Sequence, residues 1–137
     1  SPAVQQYRQH FARSALRDQS PYVIASINVA VADTPEAARN LVLSEAWALT
    51  QSRSTGVFAP LENPERIRLD SLTAQQRRRL DRALQTSIHG THQTVIEQLE
   101  AIIAYTQADE VMVTGNMWDP AAQQASDKLL MEAWQGR

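Results

Sequence analysis

Tyr22-Val23-Ile24-Ala25-Ser26-Ile27-Asn28-Val29-Ala30-Val31-Ala32 is the stretch that decides the fold. It is β-branched and almost continuously apolar, which suits a strand covered on both faces, as in a parallel sheet. Its two faces still differ. Val23, Ala25, Ile27, Val29 and Val31 form one, mostly branched. Tyr22, Ile24, Ser26, Asn28, Ala30 and Ala32 form the other, smaller and more polar. The strand runs straight into Asp33-Thr34-Pro35-Glu36, a helix start. There Thr34 can cap, Pro35 fits the first turn and Glu36 favours the positive end of the dipole. A stripe of Ala38, Leu41, Val42, Ala46 and Leu49 follows, with Glu45 its polar exception. This helix is expected to end near Gln51 to Ser54.

Upstream, Val4, Tyr7 and Phe11 mark one face of a short helix, and Ser20-Pro21 ends the pattern. Downstream, residues 54 to 71 carry Gly56, Pro60 and Pro64 and no apolar period, so they read as a long loop. Thr73 to Leu84 reads as a helix, with Thr73 and Gln76 at capping-box spacing. Ile88-His89-Gly90-Thr91 reads as a short turn in which Thr91 caps the next helix. That helix has the stripe Val95, Ile96, Leu99, Ile102 and Ile103. Val111 to Thr114 is a second strand, and Asp119-Pro120 repeats the capped start. The last helix is expected to bury Ala122, Ser126, Leu129, Leu130 and Ala133, with Trp134 nearby.

Strands alternating with helices imply βαβ units and a parallel sheet. Only two strands are legible, and two parallel strands leave both edges unpaired. The residues alone therefore describe an α/β protein with most of its sheet missing. The 137 residues, 43% of them apolar, are otherwise enough for one domain with a real core. Thirteen basic and 15 acidic side chains leave a charge of −2, unlike a general nucleic-acid binder. Cysteine is absent, which excludes a disulfide scaffold, a thiolate metal site and a Cys nucleophile. No apolar run approaches the roughly 18 residues of a membrane span. Ser1-Pro2 is neither a signal peptide nor a translation start, so the chain is expected to be a piece of something longer and cytoplasmic.

Several segments in order resemble the late part of the bacterial luciferase-like flavin monooxygenases. They are Tyr7-Arg8 with Phe11-Ala12-Arg13-Ser14, then Ser20-Pro21-Tyr22-Val23 with Asn28-Val29 and Ala32-Asp33-Thr34-Pro35-Glu36-Ala37-Ala38. His89-Gly90-Thr91 with Val95 and Leu99 comes next, and Ala108-Asp109-Glu110-Val111-Met112-Val113-Thr114 last. The resemblance implies a C-terminal fragment of a (β/α)8 TIM barrel, since a complete one needs about 250 residues. Tyr22 to Ala32 would be its seventh strand and Glu110 to Thr114 its eighth. Residues 1–137 would then be the last two β/α units plus a long helical insertion, lid-like at about 54–90. The implied parent oxidises a small organic substrate with reduced flavin, FMN or a deazaflavin, and O2. The fragment alone is expected to bind no cofactor and to be inactive.

Barrel active sites lie at the C-terminal ends of the strands. With the smaller strand face turned inward, Ser26, Asn28, Met112, Thr114 and Asn116 point into the barrel. Asn28, Thr114 and Asn116 are candidate hydrogen-bonding partners of flavin, and Trp118 a stacking partner. Arg66 and Arg68, in the lid-like segment, are candidate contacts for a phosphate or an anionic substrate. Relatives often carry an arginine shortly after the aspartate that opens the last helix; Gln123 or Gln124 stands there, and no arginine role carries over. The catalytic residues of the family lie on earlier strands, so none is assigned.

The basic run Arg77-Arg78-Arg79 with Arg82 spreads around a helix and reads as a solvated face. His89 and His92 have a spacing some metal sites use, without a third ligand, so no metal is expected. There is no G-x-S-x-G, no G-x-G-x-x-G and no Walker loop. Two further readings are a non-catalytic module that self-associates through exposed sheet edges, and a small-ligand binding protein without redox chemistry.

Overall fold

The computed structural model describes residues 1–12 and 21–137. Arg13, Ser14 and Ser20, which carry part of the resemblance, lie outside the described residues. The elements are α1 (Pro2–Ala12), β1 (Ile24–Val31), α2 (Pro35–Thr55), α3 (Ala74–Gln85), β2 (Ile88–Gly90), α4 (His92–Thr106), β3 (Glu110–Thr114) and α5 (Pro120–Gln135). Two short 3-10 turns, Pro64–Arg66 and Leu69–Ser71, precede α3.

The sheet has three parallel strands in the order β2-β1-β3. The expected turn at Ile88 to Thr91 is therefore a strand as far as Gly90, and the expectation of only two strands is corrected. Val29 pairs with Ile88, Ala30 with His89 and Val31 with Gly90. Ala32 extends the ladder by donating its N–H to the Gly90 carbonyl at 3.1 Å. Three residues are too few to show a period. What makes them a strand is the β1 edge they satisfy, a tertiary cause invisible in the segment itself.

The branched face of β1 packs as expected. Ile27, Val29 and Val31, with Ile88 and Val111, meet Val95 and Leu99 of α4 and Leu130 of α5. The other face is covered only toward its C-terminal end. Ala30 lies there beneath Val42, Leu43 and Ala46 of α2 and Leu80 and Leu84 of α3. Nearer the strand starts the same face is open: Ile24 and Met112 are each 53% exposed.

The 54–90 segment is more ordered than a loop. α2 runs to Thr55 and ends in the left-handed Gly56, a conformation that suits glycine. Ile67, Leu69 and Leu72 then turn into the second core, and α3 starts in the Thr73–Gln76 capping box. The α2 stripe is broader than expected, because β2 and α3 cover it on two sides. It buries Leu43, Ser44, Ala48 and Thr50, and it leaves Leu49 exposed. Ser44 Oγ donates to the Glu62 carbonyl at 2.5 Å and ties the segment back to α2.

Thr91 opens α4 but does not cap it with its hydroxyl, which lies 3.3 Å from Thr94 Oγ1 instead. Asp119 does cap α5, accepting from the Ala121 N–H. At the starts of the strands Asp109 accepts from the Val23 N–H at 2.8 Å, and Arg8 of α1 donates to the Gln107 carbonyl. Tyr22 donates to Glu110 at 2.9 Å, which holds its phenol above the usual range. No described helix is long and apolar enough to cross a membrane.

Candidate functional site

Parallel register decides which residues share a face. Asn28 stands beside Thr114, Ser26 beside Met112, and Ala30 beside His89. Since neighbours in register point the same way, Asn28, Thr114 and His89 lie on one face near the strand ends. Thr114 is exposed and Asn28 half-buried.

The loop after β3 rests on that face. Gly115 has φ 134, a conformation open in practice only to glycine, and a Cβ there would collide with the Asn28 carboxamide. The Asn28 carboxamide therefore lies close against the Gly115 backbone. Met117 turns inward onto the α2–α3 core. Its neighbours Asn116 and Trp118 turn outward, Trp118 with 46% of its surface exposed. The two outward side chains thus follow from one anchored between them.

Two further side chains hold the loop backbone. Glu45 of α2 accepts from the Asn116 N–H at 2.7 Å. Gln123 of α5 donates to the Gly115 carbonyl at 3.2 Å and accepts from the Met117 N–H at 3.4 Å. Glu45 is the polar exception of the α2 stripe, and this contact explains it. An arginine in place of Gln123 would have no acceptor for the Met117 N–H.

Arg66 and Arg68 are both exposed, while Ile67 and Leu69 between and beside them point into the core. Alternation along the segment thus turns both guanidiniums to solvent. Neither makes a side-chain hydrogen bond or ion pair among the described residues.

The spacing of His89 and His92 points at most to a metal site, but the register of β2 places His89 on the face that carries Asn28 and Thr114. Ser87 Oγ donates to the Leu84 carbonyl at 2.9 Å, so it receives the His89 Nδ1–H at 3.0 Å and leaves Nε2 as an acceptor. Burial pushes the imidazole below its usual range. The Ser87 backbone opposes this and the charge of Arg39 adds to it. No local signal reveals His89, because its placement depends on the strand pairing of β2. Among the described residues no group of His, Asp and Glu is placed to hold a metal ion.

A parallel α/β layer with polar side chains gathered at the strand ends defines a class of cofactor and substrate sites rather than one activity. Residues 2–110 match the luciferase-like monooxygenase family, and the chain belongs to that family. A luciferase-like monooxygenase of Escherichia coli K12 is 32% identical over 95% of this chain and 38% of its own length. The uncharacterized Bacillus subtilis protein YvbT is 27% identical over 99% of the chain and 40% of its own length. The crystal structure of apo-MsnO8 shares the fold, with a TM-score of 0.67 and 22% identity over 98% of this chain and 40% of that one. The chain thus spans about two-fifths of the length of these relatives.

Proposed function

We propose that this chain is the C-terminal part of a flavin-dependent monooxygenase barrel, and that it forms one wall and part of the rim of the flavin site. The observation that carries the reading is the family match together with the polar face at the ends of β1 and β3. The donor set suits the polar edge of a flavin ring. Asn116 offers an amide, Thr114 a hydroxyl and Trp118 a flat exposed surface. Arg66 and Arg68 suit the phosphate end or an anionic substrate, reached from the solvent side of the insertion.

Reduced FMN, when bound, supplies the two electrons that let O2 place one oxygen atom on the substrate and release the other as water. The chain's own contribution is geometry. Asn116 and Thr114 orient the ligand, Trp118 covers it, and the packed 54–90 segment keeps water from the mouth. The site face is unfinished in this chain, because Ser26, Met112 and Thr114 remain exposed. The chain alone is accordingly inactive. The test is a titration with reduced FMN under anaerobic conditions. The full-length protein binds it and these 137 residues alone do not. Tight binding by the chain alone overturns the reading, and binding of a deazaflavin in place of FMN changes the cofactor but not the role.

A second reading is favoured by the sheet edges. Among the described residues, β2 pairs with β1 only over residues 29–31, and β3 pairs with β1 alone. Two copies of the isolated chain would pair through these edges. Sedimentation of the 137-residue chain checks this, with a concentration-dependent mass expected and a strict monomer against it.

A further inference from the structure

Three elements converge on the backbone of the loop after β3. Glu45 comes from α2, Gln123 from α5 and Asn28 from β1. We infer that Glu45 and Gln123 are positioning residues, which hold the 115–118 loop so that Asn116 and Trp118 face the ligand. The inference rests on the flavin reading above and goes beyond it by assigning the loop's order to two side chains that touch no ligand.

The chemistry of the two contacts is distinct. The Glu45 carboxylate takes the Asn116 N–H at 2.7 Å, the short distance of a charge-assisted bond. It also joins the loop to the helix that opens the insertion. Gln123 acts as donor and acceptor at once, on the two peptide units that flank Asn116. A carboxylate at position 123 has no hydrogen to give, and a guanidinium no lone pair, whereas the amide of Gln123 serves both groups. Met117 completes the arrangement with an apolar anchor in the α2–α3 core. With both polar clasps in place, the peptide between Gly115 and Met117 is fixed on either side. Asn116 and Trp118 then project from a fixed base rather than from a free loop.

The test uses the full-length protein and the variants Glu45→Ala, Glu45→Gln, Glu45→Met and Gln123→Ala. Two measurements are made, hydrogen exchange at the 115–118 amides and the affinity for reduced FMN. Loss of one such hydrogen bond is worth about tenfold in exchange. Glu45→Ala and Gln123→Ala are expected to speed exchange at 116 and 117 by about that factor and to weaken FMN binding, while the amides of β1 keep their protection. Glu45→Gln keeps the bulk and an acceptor and is expected to restore most of the protection. Glu45→Met keeps the bulk without the acceptor and is expected to exchange as fast as Glu45→Ala, which a merely bulky role would not predict. Unchanged exchange in the alanine variants overturns the inference. So does faster exchange with unchanged FMN affinity, given binding by the unaltered protein. No FMN binding by the unaltered protein overturns the flavin reading and the inference with it.

Discussion

Ser126 shows how one hydroxyl can finish a strand. β3 stops pairing at Thr114, opposite Asn28, so among the described residues the next part of β1 has no strand on that side. Val31 donates its buried N–H to Ser126 Oγ at 2.8 Å instead. Ser126→Ala leaves that N–H buried without a partner, at a cost of about 1–3 kcal/mol. Denaturant unfolding of the variant should show this loss with an unchanged m-value. His89 makes a second prediction at this scale. Its folded form resists protonation, while the unfolded chain takes up a proton near the ordinary value of about 6.5. Below that pH the unfolded state binds more protons, so stability falls as pH falls. His89→Gln should flatten the stability profile between about pH 7 and 5. An equal slope in both proteins would assign the acid sensitivity to the carboxylates.

The elements differ in how far their own residues announce them. β1, α2, α4 and α5 are legible because each carries a full period or a cap that satisfies its own first turn. β2 is not, because Ile88, His89 and Gly90 become a strand only against residues 29–31. The same dependence hid His89 from the candidate site. Asn116 and Trp118 were readable as residues after a strand end, but Glu45 and Gln123 were not readable as their supports. One arrives from a helix 71 residues away, a distance no local pattern spans. The insertion, read as a loop with a helix, is a packed layer because Ile67, Leu69 and Leu72 find α2 and α3. Leu80 is fully buried at its centre. Leu80→Ala should cost about 2–5 kcal/mol. The loss should appear as faster exchange in α2 and α3 before it reaches β1, since α4 and α5 hold the opposite face. Uniform loss across the chain would make the two cores one cooperative unit.

At the scale of the whole molecule, two cores share one thin sheet. The first joins the sheet to α4 and α5, and the second joins its C-terminal half to α2 and α3. That asymmetry leaves one end of the inner face covered and the other open. Asn28 and His89 lie toward the covered end, while the candidate residues Thr114, Asn116 and Trp118 remain exposed.

The strand order has a consequence for the way this chain is made. β1 lies at the centre of the sheet, but it is first of the three strands in sequence. Its partner at Asp109 lies 86 residues further on, and the serine that finishes it lies 95 residues further on. Within these 137 residues the most apolar segment is therefore made before both of the strands that pair with it here. Among the described elements, α2 and α3 lie between β1 and β2 in sequence, and they pack on the C-terminal end of β1. The contacts that complete β1 are thus long-range in sequence, the kind that form late and slowly in folding.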